Sequence, residues 1–241
     1  MTASLRSIGP ALVTAAAALA SLSAQTSMLN TLTPADEQAG WKLLFDGKAI
    51  DKWRAYKTIS VPDNWTIEDN AITLTNTRRA IDLISVDEFG DFDFRFDWKL
   101  WPAPPAGNSG VMYYVNELSS ETYHTGPEYQ VLDNANHADG KNPLTTSASC
   151  YAIYAPARDV TKPVGEWNSG RIVINKGKVE HWLNGEKVLE YDLNSADFKA
   201  KVAASKFKEW PGYAMARRGH LALQQHLAKV AFRNLKIKTL D

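Results

Sequence analysis

In residues 91–100 (DFDFRFDWKL), Phe92, Phe94, Phe96, Trp98 and Leu100 share one parity, and Asp91, Asp93, Arg95, Asp97 and Lys99 share the other. A period of two is that of a strand with one face in a core and one in water, not of a helix. Shorter runs of β-formers flank it. Trp41–Asp46 predicts a strand closed by the turn Asp46-Gly47, NWTIE and AITLT predict two strands around Asp69-Asn70, and Ile81–Val86 predicts another. WPAPPAGNSG interrupts the chain with prolines and glycines before VMYYV resumes as a strand. GPEYQVLDN (126–134) is a further strand by its β-formers. Arg171–Asn175, Val179–Leu183 and Lys187–Tyr191 read as a meander turning at Lys176-Gly177 and Asn184-Gly185, the second being a strong hairpin signal. In the last pair, His220–Gln225 and Lys229–Lys238, the apolar parity changes between Phe232 and Leu235, which predicts a β-bulge at Arg233-Asn234. Only residues 195–209 carry a helical spacing, with Phe198, Val202 and Lys206 at i, i+4. Many strands, tight turns and one helix predict an all-β sandwich of two antiparallel sheets.

The ends and the composition narrow the function classes. Arg6, the apolar run 11–20 and the small residues after it read as a signal peptide cleaved after Ala24. Residues 25–39 then form a linker or arm, and 40–241 one domain. The apolar run is too short and Ala-rich for a membrane span, so a periplasmic or secreted protein is expected. Lys+Arg and Asp+Glu both number 27, with no basic tract after the N-terminus, which argues against nucleic acid and anionic membranes as partners. Eight Trp and nine Tyr suit both a β-rich core and a surface that stacks on sugar rings. Trp53, Trp98 and Trp182 are expected to be structural. The single cysteine, Cys150, sits in the apolar run SASCYAIY and is expected to be a small buried residue.

Candidate chemistry gathers at GPEYQVLDN. Glu128 and Gln130 share a sheet face, and Asp133 joins them only if a bulge or the strand end resets parity. Such a cluster serves either as an ordinary solvated face or as a set of groups for sugar hydroxyls and acid–base work. In GNSG (107–110), Asn108 belongs to a plain turn or reaches a ligand hydroxyl. Gln224 and His226 end a strand together. HxH, HExxH and CxxC spacings are absent, so a zinc site is not expected. The carbonyls and carboxylates of DNANHADG (133–140) are a candidate calcium loop.

In this order, GWKLLFDGKAIDKWR (40–54), FDFRFDWKL (92–100), GNSGVMYY (107–114), GPEYQVLDN (126–134), GEWNSGRIVINKGKVEHWLNGEKVLEYD (165–192), WPGY (210–213), GHLALQQH (219–226) and VAFRNLKIK (230–238) cover most of the chain. Together they resemble the 3-keto-disaccharide hydrolase family, also described as 3-keto-glucoside-1,2-lyase/3-keto-2-hydroxyglucal hydratase domains. The resemblance implies a concanavalin A-like lectin/glucanase jelly roll that cleaves 3-keto-glycosides. The implied route is C2 deprotonation, β-elimination at C1 and hydration. It points to Glu128 and His226 as an acid–base pair with roles unassigned, and to Asn108, Gln130, Asp133 and Gln224 as substrate-binding residues. A divalent metal beside them is left open. Two positions depart from the family pattern: Gln225 replaces the acid of LQDHG, and Tyr114 replaces the arginine of NSG-x-x-x-R. A non-catalytic sugar-binding module and an ordinary glucanase are the rival readings. The second is suggested by the spacing Glu128-x-Gln130-x-x-Asp133, close to the glucanase pattern E-x-D-x-x-E.

Overall fold

A computed structural model of the chain describes residues 28–240, so the signal peptide read at 1–24 lies outside the described residues. Thirteen strands follow in chain order: β1 (Lys42–Leu43), β2 (Trp53–Ala55), β3 (Trp65–Glu68), β4 (Ala71–Leu74), β5 (Leu83–Ser85), β6 (Phe92–Leu100), β7 (Asn108–Val115), β8 (Glu128–Leu132), β9 (Asn168–Asn175), β10 (Lys178–Leu183), β11 (Glu186–Asp192), β12 (His220–Leu223) and β13 (Val230–Thr239). Two α-helices accompany them, α1 (Pro34–Gln38) and α2 (Ala196–Ala204). An eight-stranded sheet runs β11-β10-β9-β6-β13-β4-β3, with β1 also paired to β13, and a five-stranded sheet runs β2-β5-β12-β7-β8. Every pairing is antiparallel. Strands distant in sequence lie side by side in both sheets. This is the concanavalin A-like jelly-roll sandwich that the strand pattern and the resemblance imply.

The core lies between the sheets. The apolar parity of β6 is buried there with Val111, Tyr113, Tyr129, Val131, Leu221 and Leu223 of the smaller sheet. Its polar parity faces out, where Asp93 takes two 2.8 Å hydrogen bonds from Arg171 on β9. Trp53 and Trp98 are 2% exposed, as a structural role requires. Trp182 is half-buried on the outer face under the Arg171 guanidinium, 4.9 Å from its ring. The Asn184-Gly185 and Lys176-Gly177 turns have positive φ at both residues, which matches the twist of the hairpins they close. The bulge lies where the parity change places it: the β13–β6 register shifts between Arg233 and Lys236, and Asn234 has φ 54°.

Four expectations are corrected. The strand at 41–46 shortens to Lys42–Leu43. GNSG is not a turn, because β7 begins at Asn108 and pairs it with Leu132. The arm at 28–39 is docked: α1 is closed by a Thr33–Asp36 capping box, and the Asn30 and Asn234 side chains each accept the other's backbone N–H at 2.7 Å. The helix read over 195–209 stops at Ala204. Ser205 is extended there, and its hydroxyl accepts the Phe207 N–H, starting a separate 3₁₀ turn over Lys206–Glu209. Among the described residues no helix is long and apolar enough to cross a membrane.

Candidate active site

The outer face of the smaller sheet carries a cavity of about 260 Å³, lined by Asn108, Tyr123, Glu128, Gln130, Tyr151, Lys206, Trp210, Gln224 and His226. That is near the lower end of ligand clefts and suits one sugar ring rather than a long chain. Alternation along β8 builds its floor: Tyr129 and Val131 point into the core, and Glu128 and Gln130 point out. Neighbouring β7 meets this face with Gly110, opposite Gln130. A Cβ at Gly110 would stand 2.2 Å from Glu128 Oε1, so the glycine makes the space in which the carboxyl lies. The Gly110 carbonyl accepts the Gln224 N–H at 2.9 Å, and the Ser109 hydroxyl donates to the Gln224 carbonyl at 2.7 Å. These bonds anchor the end of β12 and carry Gln224 and His226 to the cavity edge.

Several polar groups here are buried and lack protein partners. Gln130 is 1% exposed; its Oε1 accepts the Val131 N–H, and its Nε2 has no partner. Gln224 is 8% exposed with an unpartnered Oε1. Buried polar atoms are normally paired, so an unpaired donor and acceptor lining one opening are poised for a ligand. Glu128 is 5% exposed, and burial pushes its carboxyl up to about 8, against the opposing pull of Lys206. The carboxyl is therefore protonated at neutral pH. Partial burial lowers the pKa of His226, so its imidazole is neutral there.

His137 supports this edge. Its ring lies edge-on to His226 with centroids 6.4 Å apart. Its Nδ1 accepts the Asp139 N–H at 3.1 Å, and the Asn108 Nδ2 lies 3.4 Å from its Nε2. The walls are aromatic. Trp210 stacks on His124 at 4.3 Å and meets Tyr123 edge-on at 5.4 Å.

Five of the six residues expected at the site line this cavity; Asp133 does not. It lies just past β8, where its carboxylate accepts the Asn136 side-chain amide at 2.9 Å and faces a separate cleft. Glu128 is thus the single carboxylate lining the cavity, and the carboxylate pair of a retaining glucanase is not assembled. In the candidate calcium loop, Asp139 accepts the Tyr151 hydroxyl at 3.0 Å and Asp133 accepts the Asn136 side-chain amide at 2.9 Å. Among the described residues no group of three or more His, Cys, Asp or Glu side chains is placed to hold a metal ion. Cys150 is fully buried, and burial pushes its thiol up to about 12, so it is not a nucleophile.

Neither departure lines this cavity. Tyr114 is buried in the core. Gln225 lines an adjoining cleft, where its N–H donates to Asp82 Oδ1 at 2.9 Å. Burial raises the Asp82 carboxyl to about 6. An acid therefore stands beside position 225, supplied by a distant part of the chain. Tyr123, Tyr151, Lys206 and Trp210 join the lining, and Gly110 its floor, beyond the residues expected there; the visible signals are WPGY, which contains Trp210, and GNSG, which contains Gly110.

The profile of the 3-keto-alpha-glucoside-1,2-lyase-like domain matches residues 40–238. A protein of Bacteroides thetaiotaomicron named 3-keto-disaccharide hydrolase is 35% identical over 232 residues, 84% of this chain and 79% of that protein. A crystal structure from Parabacteroides distasonis superposes with TM-score 0.81 at 35% identity, covering 88% of this chain and all of that one. A carbohydrate-binding module from Bacillus subtilis shares the fold alone, with TM-score 0.50 at 12% identity over 78% of this chain and 96% of the module.

Proposed function

The chain belongs to the 3-keto-alpha-glucoside-1,2-lyase-like domain family, and on that premise we propose that it cleaves glycosides whose C3 hydroxyl has been oxidised to a ketone. The ketone acidifies the C2 hydrogen, because the carbanion left behind is an enolate. His226, neutral at working pH, removes that proton. Glu128, protonated at working pH, gives its proton to the leaving oxygen at C1. Elimination yields a 2-hydroxy-3-keto-glucal, and addition of water across its double bond yields the free 3-keto sugar. Gln130 donates from Nε2 and Gln224 accepts at Oε1, so they can hold the ring through a carbonyl or hydroxyl oxygen and a hydroxyl hydrogen respectively. Asn108 adds a polar amide at the His226 edge.

The observation that carries this reading is the unpaired, protonated carboxyl of Glu128 in one cavity with a neutral imidazole. Environments that push an acid up and a base down supply both partners of a proton transfer near neutrality. The test is an assay of the purified protein on 3-keto-trehalose and a panel of 3-keto-glucosides. Release of the aglycone supports the proposal, and an uncleaved panel, with and without divalent metal, ends it.

The aromatic walls at Trp210, Tyr123 and Tyr151 also favour a second reading, a non-catalytic sugar-binding module. Calorimetry separates the two, since such a module binds unoxidised glycans and turns over nothing. Export to the periplasm or medium is part of the proposal, carried by the pattern of residues 1–24. An intact mass of the exported protein that retains those residues would refute it.

A further inference from the structure

The elimination creates a charge that Glu128 and His226 cannot hold. As His226 takes the C2 proton, the C2–H electron pair becomes the C2=C3 π bond, and the carbonyl π pair moves onto the C3 oxygen. When the C1–O bond breaks, that oxygen pair re-forms C3=O and the C2=C3 pair shifts to C1=C2. The leaving oxygen departs with the C1–O pair and the Glu128 proton. Between these events a full negative charge sits on the C3 oxygen. The two glutamines and Asn108 offer only neutral dipoles to it.

Of the nine residues lining the cavity, Lys206 alone bears a permanent positive charge. Resting on the elimination proposed above, we infer that the Lys206 ammonium is a catalytic residue that holds the enolate oxygen at C3. The chain places it deliberately: α2 ends at Ala204, Ser205 caps the new turn, and Lys206 leads that turn over the cavity. Its Nζ lies 4.5 Å from the centre of the Tyr151 ring, 5.3 Å from Phe207 and 5.8 Å from Tyr123. Aromatic faces fix an ammonium without neutralising it. Lys52, Lys187, Lys229 and Lys236 sit in ion pairs, whereas no carboxylate among the described residues is within ion-pair reach of Lys206. Its charge is therefore free to meet one that develops during reaction. It already acts on both proton carriers, drawing down the proton affinity of Glu128 and of His226. A sugar ring seated below it would exclude water and strengthen its pull on the enolate.

The test uses Lys206→Met, which keeps an apolar stem over the rings, and Lys206→Arg, which keeps the charge. Each full-length variant is assayed on a 3-keto-glucoside for kcat, KM and deuterium uptake at C2 of recovered substrate in D₂O. Lys206→Met is expected to lose ~10²–10³-fold in kcat with KM within about threefold, while C2 exchange falls in parallel. Lys206→Arg is expected to recover about tenfold or more of that loss. The thermal midpoint checks that both variants fold. Lys206→Met activity within about threefold of wild type overturns the inference while leaving the elimination intact. A loss of kcat with undiminished C2 exchange also overturns it, because the lysine would then act on the leaving group. A wild-type protein that neither exchanges C2 hydrogen nor cleaves brings down the elimination, and the inference with it.

Discussion

Strand β8 separates two kinds of buried polar chemistry. On its inner face the Tyr129 hydroxyl donates to the Trp182 carbonyl at 3.0 Å. Beside it the Tyr113 hydroxyl meets the Tyr191 hydroxyl and lies 3.3 Å from His181 Nε2, while His181 Nδ1 donates to the Ala148 carbonyl at 3.0 Å. On its outer face Glu128 and Gln130 are buried as well, yet among the described residues the Gln130 NH₂ has no hydrogen-bond partner and the Glu128 carboxyl is shifted by burial and charge alone. Burial perturbs proton affinity on both faces: it lowers His181 to about 4 and raises Glu128 to about 8. A displaced pKa therefore does not tell the two regions apart. Access does. Tyr113, Tyr129, Tyr191 and His181 bond to partners, and the unpartnered Tyr114 and Tyr213 hydroxyls are sealed in the core, whereas the outer groups keep unfilled bonding capacity beside an opening.

The largest effect should come from the outer face. Glu128→Gln and His226→Ala should each lower turnover by ~10²–10⁴-fold, and the double variant should lose little more than either single one. Glu128→Gln should at the same time melt higher than wild type at about pH 8, with the gain shrinking toward about pH 5. The sign follows from burial. The raised folded-state pKa contributes stability that is full below the unfolded carboxyl range and lost as pH rises through about 8. Calorimetry over a pH series reads this, and a Glu128→Gln protein of wild-type activity breaks the comparison.

On the inner face, Trp98→Ala should cost ~3–5 kcal/mol through the cavity it leaves. Denaturant titration measures that loss, and the fraction still folded should keep its kcat. Selective loss of ligand binding in a stable Trp98→Ala protein would move this residue to the site.

Gly110→Ala sharpens the boundary between the faces. The added methyl would press on the Glu128 side chain from Cγ to Oε1 rather than on backbone, so the protein should still fold, while kcat falls by ~10²-fold through misplacement of Glu128. An active Gly110→Ala protein would show that the carboxyl's position is not critical.

The kcat/KM profile should be bell-shaped. Its alkaline limb lies near the Glu128 value of about 8, and its acid limb lies below the ordinary imidazole range, where His226 gains a proton. The groups acting on this pair are Lys206, Asp82, Asp139 and His137. Smallest of all is Asp133→Asn, which should leave kcat within about twofold, because its carboxylate serves Asn136 in another cleft. A large loss there would join the two clefts functionally.

Much of this architecture is written locally. Period two in β6 sorts core from solvent residue by residue, the Asn184-Gly185 turn dictates its hairpin, and the parity break after Phe232 locates the bulge. The same rule puts Glu128 and Gln130 on one face and leaves Asp133 off it, since the strand ends at Leu132 without resetting parity. What lies beyond local reading arises where distant segments meet. Lys206 continues the helical spacing of Phe198 and Val202 in sequence, but the helix stops before it and the new turn aims it at Tyr151. Gly110 has the appearance of a turn glycine until β8 lays Glu128 across it. Asp82 reaches the neighbourhood of Gln225 only because β5 pairs with β12.

The close fit of Gly110 and Glu128 has an evolutionary corollary. The two positions sit on different strands, yet neither can drift alone. While the acid is in use, any side chain at 110 pushes it out of place, so selection on catalysis acts on a residue that performs no chemistry. Once the acid is replaced by a smaller residue, the glycine is released and can accumulate the β-branched residues that strands favour. Substitution at 128 thus comes first and substitution at 110 second. A relative with a bulky residue at the equivalent of 110 is therefore expected to lack a carboxyl placed as Glu128 is here.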